Sequence, residues 1–381
     1  MDSLTQIVLG AAVGELVLGK KVGNKAILWG AIAGTIPDLD VLTKPFVDGL
    51  RANELHRGVT HSILFSALMA PLLGWWLKRH RRSLLAVFVA LVAAVFVLGE
   101  VPVVAKVVVG TVAAAIIALV LWRSRGTDEA TTREWSWLFW WSLVTHPLLD
   151  CHTNWGTQLL WPLPVKVAYN NIFVVDPFYT VPFLICVAAA MFVKRSNPRR
   201  RWINGFGLAL SSGYMVLTLV LKLVVHTGVA RSLDEQAVPY TSISTLPTPF
   251  NAVLWTATVE TDDAFLIGYR SLLDKNTDFD PIRIPKNRQL LGRWAEHRNV
   301  QRLALLTHGQ YVLRSENDTL VLSDIRFGQT GSPAPETPFF MQYRLIPEGD
   351  DLRVEVVPPQ GLDKEKFNAA ITELWTRLKG V

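Results

Sequence analysis

Three short clusters hold residues of metal-ligand type beside apolar segments, where ionisable groups are costly. They are Pro37-Asp38-Leu39-Asp40, His56-Arg57-Gly58-Val59-Thr60-His61-Ser62 and His146-Pro147-Leu148-Leu149-Asp150. A carboxylate or imidazole at the edge of a bilayer marks a functional site by default. His146 and Asp150 stand four apart and share one helix face; alone, the pair serves equally well as a buried polar lock between helices. His56 and His61 stand five apart, which on one continuous helix points them in different directions. Gly58 allows a break, with His56 on a loop and His61 in the first turn of the next helix. An extended Asp38-Leu39-Asp40 sends both carboxylates to one side; the alternative is a plain helix-terminating turn. Mixed imidazole and carboxylate donors suit zinc first and manganese second, whereas calcium wants more oxygen ligands and no histidine. Asp38, Asp40, His56, His61, His146 and Asp150 thus form a candidate ligand set for one divalent metal, at most two.

Two further residues flank this set. The Arg57 guanidinium matches an anionic substrate oxygen in bidentate fashion, or else faces lipid headgroups. Asp176, in Val175-Asp176-Pro177-Phe178, is either a general base or extra ligand, or the N-cap of a helix with proline at its first position. His152, Thr153 and Asn154 are placed to orient ligands from a second layer.

The elements that must position these residues are apolar helices. Mean hydropathy is +0.28 over 381 residues, and the apolar runs concentrate before about residue 226. Segments at 4–19, 26–36, 62–77, 83–98, 101–122, 135–151, 178–193 and 203–226 predict an α-helical polytopic membrane domain of about eight apolar helices, some short. Residues 1–226 form this domain, and 227–381 form a soluble α+β domain. Gly10, Gly14, Gly30 and Gly34 in the first two segments let helices pack closely. If the segments alternate, one set of connections carries fifteen basic residues and the opposite set four. The basic set is then cytoplasmic, with a tight hairpin at Gly99-Glu100-Val101-Pro102. All the candidate ligands, Asp176 and the soluble domain fall on the opposite, periplasmic side. The net charge of +6 is spent punctuating apolar spans and forms no continuous patch, so a nucleic-acid partner is not expected. Asp2 occupies the place of a basic leader region, so the first segment is expected to remain.

In the soluble domain, Thr261-Asp262-Asp263, Glu316-Asn317-Asp318 and Gly349-Asp350-Asp351 each separate two strand-like runs, giving three hairpins. Residues 289–305 and 363–379 read as helices, and the whole as one sheet with helices on one face. It holds no catalytic motif; His297 and His308 read as surface residues.

Met1-Asp-Ser-Leu-Thr-Gln-Ile-Val-Leu-Gly-Ala-Ala-Val-Gly, Gly34-Thr-Ile-Pro-Asp-Leu-Asp, His56-Arg-Gly-Val-Thr-His-Ser and His146-Pro-Leu-Leu-Asp, in this order, resemble the YdjM-like family. These are bacterial inner-membrane proteins regarded as metal-dependent hydrolases. The resemblance covers about residues 1–226 and implies an inner-membrane location. Through a distant likeness to zinc-dependent phospholipases C and single-strand nucleases, it also implies phosphoester hydrolysis. Gln6 stands where many members carry histidine, which implies a smaller site than a full multi-zinc cluster. The expected substrate is a membrane lipid or membrane-proximal phosphoester. The alternative is a membrane scaffold or envelope-stress protein whose metal only ties helices together.

Overall fold

The structure, a computed structural model, describes all residues except 100, 123–129, 277, 317–318, 359–363 and 381, and only the backbone of 364–367. The chain divides into two compact units, one of Met1–Tyr169 with Val174–Met215, the other of Asn170–Phe173 with Val216–Val381.

The first unit is helical. α1 (Ser3–Val22) starts at Asp2, whose carboxylate accepts from Thr5 N at 3.1 Å, and ends at Gly23 with φ +61°. α2 (Asn24–Thr35) doubles back along it. Their crossing depends on missing side chains. A Cβ on Gly10 would meet the carbonyl of Gly30, one on Gly14 that of Ala26, and one on Gly34 that of Gln6. The small-residue spacing therefore serves close packing, as the sequence suggests. A 3-10 stretch, Pro37–Phe46, leads to α3 (Gly49–Leu55), and a second 3-10 turn, Val59–His61, leads to α4 (Ile63–Leu98).

α4 is two helical stretches meeting at a kink: the backbone leaves helical geometry at His80 (φ −136°, ψ 47°), inside the basic run Lys78–Arg82 that the sequence places between the segments 62–77 and 83–98. With this break, the described residues carry eight apolar helical stretches, some short. α5 (Val103–Trp122) buries a single side chain, Ala113, and is apolar all round; such a helix finds its partner in lipid. Gly99, Val101 and Pro102 lie in the short connection from α4 to α5, as expected for a tight hairpin, while Glu100 and the loop basic residues Arg123 and Arg125 lie outside the described residues. α6 (Thr132–Asp150) begins with a complete capping box between Thr131 and Glu134 and runs through the core, where Trp135, Leu138, Phe139 and Leu143 pack against Trp29, Leu73 and Leu77. α7 (Pro177–Met191) begins at Asp176 with proline in its first turn, and α8 (Pro198–Glu235) passes from one unit into the next. Among the described residues, five helical stretches, Ser3–Val22, Asn24–Phe46, Ile63–Leu98, Val103–Trp122 and Pro198–Glu235, are long and apolar enough to cross a membrane; α7 is shorter.

The bundle has two chemically different ends. Lys21 at the end of α1 pairs with Glu134 at the start of α6 at 2.8 Å. Lys78 donates to Ala130 O at 2.7 Å, and Arg195 donates to Lys21 O. Asp150 ends α6 at the far side, sixteen residues from Glu134, or about 24 Å along a helix.

The second unit carries two antiparallel four-stranded sheets. One is β1 (Ser242–Pro247), β2 (Leu254–Glu260), β3 (Ala264–Ser271) and β4 (Ile282–Pro285); the other is β5 (Tyr311–Glu316), β6 (Thr319–Gln329), β7 (Phe339–Glu348) and β8 (Asp351–Val357). The hairpins β2–β3, β5–β6 and β7–β8 lie where turn chemistry puts them, although Asn317 and Asp318 lie outside the described residues. The single expected sheet is corrected to two, because Phe265, Ile267 and Ile284 pack against Val312, Ile325 and Phe339. The helix expected at 289–305 is also broken, into a 3-10 stretch Arg288–Trp294, where Gly292 has φ +48°, and α9 (Arg298–Leu306). α10 (Lys364–Leu378) follows β8. The other face of the first sheet, through Trp255, Ala257 and Val259, packs on Val225, Val229 and Leu233 of α8.

Candidate metal centre

Four of the six candidate ligands converge at the end of α6. Asp38, His61, His146 and Asp150 each offer one donor atom, all within 4.8 Å of one another. His61 Nε2 lies 3.2 Å from His146 Nε2. Each of these nitrogens lies 3.4 Å from Asp150 Oδ2 and 3.5 Å from Asp38 Oδ1. Tetrahedral coordination at zinc-like bond lengths has edges of about 3.3–3.6 Å; the four imidazole–carboxylate separations fall in that range and the imidazole–imidazole one lies just below it.

The surrounding hydrogen bonds leave those donors free to face inward. His146 Nδ1 stands 2.6 Å from the Gly34 carbonyl, which can only accept, so the proton is assigned to Nδ1 and the Nε2 lone pair faces the cluster. His61 Nδ1 stands 3.1 Å from Thr60 Oγ1 and 3.6 Å from Asp40 Oδ2, which favours the same tautomer. Asp150 Oδ1 accepts from Gln6 Nε2 at 2.9 Å and from the Met1 amino group, while Asp150 Oδ2 is buried and accepts no hydrogen bond. Two imidazole lone pairs and two carboxylate oxygens thus point at one place. Such a set of acceptors favours a cation, and the Met1 amino group and Arg57, both on Asp150, neutralise it only in part. The residues present fit a divalent metal.

Asp40 and His56 stand one layer out. The expected extended Asp-Leu-Asp is 3-10 helical instead, and in that helix neighbours two apart point to different sides. Asp38 turns into the cluster, while Asp40 accepts from Arg57 N at 2.8 Å and lies 3.2 Å from His56 Nδ1. His56 ends α3, its ring edge-to-face with Trp155 at 5.1 Å. Burial pushes its pKa below the ordinary value, against the pull of the Asp40 carboxylate.

Arg57 faces inward and is buried. Its Nε lies 3.1 Å from Asp150 Oδ2, and its Nη1 donates to Thr153 Oγ1 at 2.6 Å. Its backbone has φ +57°, a left-handed conformation that costs a non-glycine residue about 1–2 kcal/mol. Strain of this kind collects where a side chain must be aimed. Asp176 has the capping role: it accepts from Phe178 N at 2.9 Å, Tyr179 N at 3.2 Å and the Tyr214 hydroxyl at 2.9 Å. Burial raises its pKa. His297 likewise caps α9 and lies 3.1 Å from Asp351. Sequence alone does not mark the Gly34 carbonyl or Thr60 as partners of the two imidazoles. A backbone acceptor leaves no trace in residue type, and only the tight crossing at Gly34 hints at it.

The fold and this cluster define a class: a multi-helix membrane protein with a buried Asp/His centre able to hold a metal ion. A family model for the YdjM inner membrane protein matches residues 1–102 and 107–229, and the chain belongs to that family. No curated protein and no solved structure matches the chain.

Proposed function

We propose that the protein is a metal-dependent hydrolase of the inner membrane, acting on a phosphoester or lipid at the periplasmic face. The observation that carries this reading is the asymmetry of the cluster. The side chains of His61, His146 and Asp150 are fully buried, whereas Asp38 is 28% exposed, so a metal held there is reached from the Asp38 side. When bound, a divalent metal supplies a water of pKa about 7 and polarises a scissile group. Arg57, fixed by Asp150 and Thr153, offsets anionic charge beside the donors. His146 keeps its Nε2 lone pair inward through Gly34. Zinc is the preferred ion for two imidazoles with two carboxylates, with manganese second.

The periplasmic assignment rests on charge. Lys21, Lys78 and Arg195 gather at one end of the bundle and the donors at the other, and Lys/Arg-rich ends stay in the cytoplasm. Four protein donors favour a second reading, a metal that only ties helices together, since structural zinc is closed by four ligands. The test is metal analysis of the purified protein followed by a screen of phosphoester and lipid hydrolysis. Metal-dependent turnover lost in Asp38→Asn supports the hydrolase. Metal present without turnover, whose removal unfolds the bundle, supports the tie. Absence of bound metal overturns both.

A further inference from the structure

The second unit holds a cavity of about 450 Å³, a volume suited to a small ligand. Its floor is the face of the first sheet turned away from α8. Along β2, Trp255, Ala257 and Val259 pack on α8, and the alternating Thr256 and Thr258 line the cavity. Ile267 and Tyr269 continue the floor on β3, paired in register with Thr258 and Thr256. Ile325 and Phe340 form one wall, and Ile371 and Leu374 of α10 form another.

The lining is mostly apolar, with neutral hydroxyls and amides from Thr256, Thr258 and Gln310 among it, and presents no unneutralised charge. Arg326 is the one ionisable guanidinium or carboxylate among the described lining residues, and Asp324 holds it in a bidentate pair at 2.6 and 3.0 Å. Burial pushes the Tyr269 hydroxyl up to about 12, so it stays neutral at ordinary pH. An ionised ligand gains nothing here, whereas a hydrocarbon one replaces water against aliphatic and aromatic walls.

One edge of the cavity is fastened to a membrane span. Phe173 and Phe250 meet at this edge with ring centres 6.3 Å apart. The segment leading to Phe173 is tied to α8: Asn171 donates to Thr218 Oγ1 at 2.8 Å, and Lys222 donates to Asn170 O and Thr245 O at 3.3 Å. On the same turns of α8, Val216, Leu217, Val220, Leu223 and Val224 are exposed. Exposed apolar residues on a helix of spanning length face acyl chains, so the Phe173–Phe250 edge lies at the bilayer boundary. We propose that this cavity takes up an acyl chain of a bilayer lipid, entering past Phe173 and Phe250. This assignment stands independently of the hydrolase reading.

The test uses the full chain in nanodiscs of phosphatidylethanolamine and phosphatidylglycerol, containing a phospholipid with a diazirine in its acyl chain. After photolysis, labelled peptides are mapped by mass spectrometry. Labelling within 244–250 and 325–333 is expected, besides labelling of the lipid-facing α5. Thr258→Trp, which fills the floor, should lower labelling of those two peptides by about tenfold or more, equivalent to about 1.4 kcal/mol, with α5 labelling unchanged. Thr258→Val, of equal size, should keep it. If Thr258→Trp does not fold, Ile371→Trp on the opposite wall decides in the same way. Labelling confined to spanning helices, or cavity labelling indifferent to both fillings, overturns the proposal. Asp150→Asn should lose metal but keep cavity labelling, so the two sites can fail separately.

Discussion

A buried histidine in a helical bundle is ordinarily satisfied by one hydrogen bond at each nitrogen. His61 and His146 depart from that pattern: their outer nitrogens have oxygen neighbours, and their inner nitrogens face each other and two carboxylates. His61→Ala or Asp150→Asn should therefore abolish metal retention, read by elemental analysis after gel filtration. Asp40→Asn should retain the site but weaken it by about 10–100-fold, the usual cost of losing a group that orients a ligand, measured by titration with a competing chelator. Equal loss in Asp40→Asn and Asp38→Asn would put Asp40 among the donors. At this scale the sequence is informative about which residue types gather, because imidazoles and carboxylates beside apolar runs need a reason. It is less informative about their division of labour. Asp38 and Asp40 differ only in where a 3-10 turn points them, and that depends on Pro37 and the packing after α2.

Among the elements, α1 and α2 show how the site is held from a distance. Their backbones touch at Gly10, Gly14 and Gly30, and this contact brings Gln6 and the Gly34 carbonyl to Asp150 and His146. Gly30→Leu should part the helices and lower metal affinity although residue 30 touches no donor; unchanged affinity would show that α6 alone sets the geometry. Lower on α1, Glu15 is buried with Arg200, the two joined by hydrogen bonds of 2.5 and 2.6 Å. Arg200→Met strands a buried carboxylate, which costs about 3–5 kcal/mol. Its melting temperature in detergent should fall sharply, and Glu15→Gln in the same chain should restore part of the loss. Helices and hairpins were legible because periodicity and turn residues are local. So was the break within α4, because the basic run Lys78-Arg79-His80-Arg81-Arg82 interrupts the apolar pattern and the backbone kinks at His80. The second sheet was not, because its packing on the first joins Phe265 and Phe339 in one cluster across a long stretch of chain.

For the whole molecule, division into two units places the Asp/His cluster in one and the large cavity in the other. All four donors lie in the first unit, so a chain cut after about residue 230 should keep its metal, as elemental analysis would show. Loss of metal on truncation would bring the second unit into the centre. Reporter fusions after Arg201 and at Val381 should report cytoplasm and periplasm respectively, as Lys/Arg placement dictates. The same side for both would remove the periplasmic assignment.

The order in which the donors leave the ribosome has its own consequence. Asp38 and His61 flank the end of α2 and the start of α4, whereas His146 and Asp150 close α6. If the cluster takes up an ion, a nascent chain that has inserted only its first helices would own half a coordination shell and hold it weakly. Tight binding would begin when α6 is packed against α1 and α4 with its last turn seated. Acquisition of the ion would then record completed insertion, and degradation of metal-free copies would remove chains whose sixth helix never found its place.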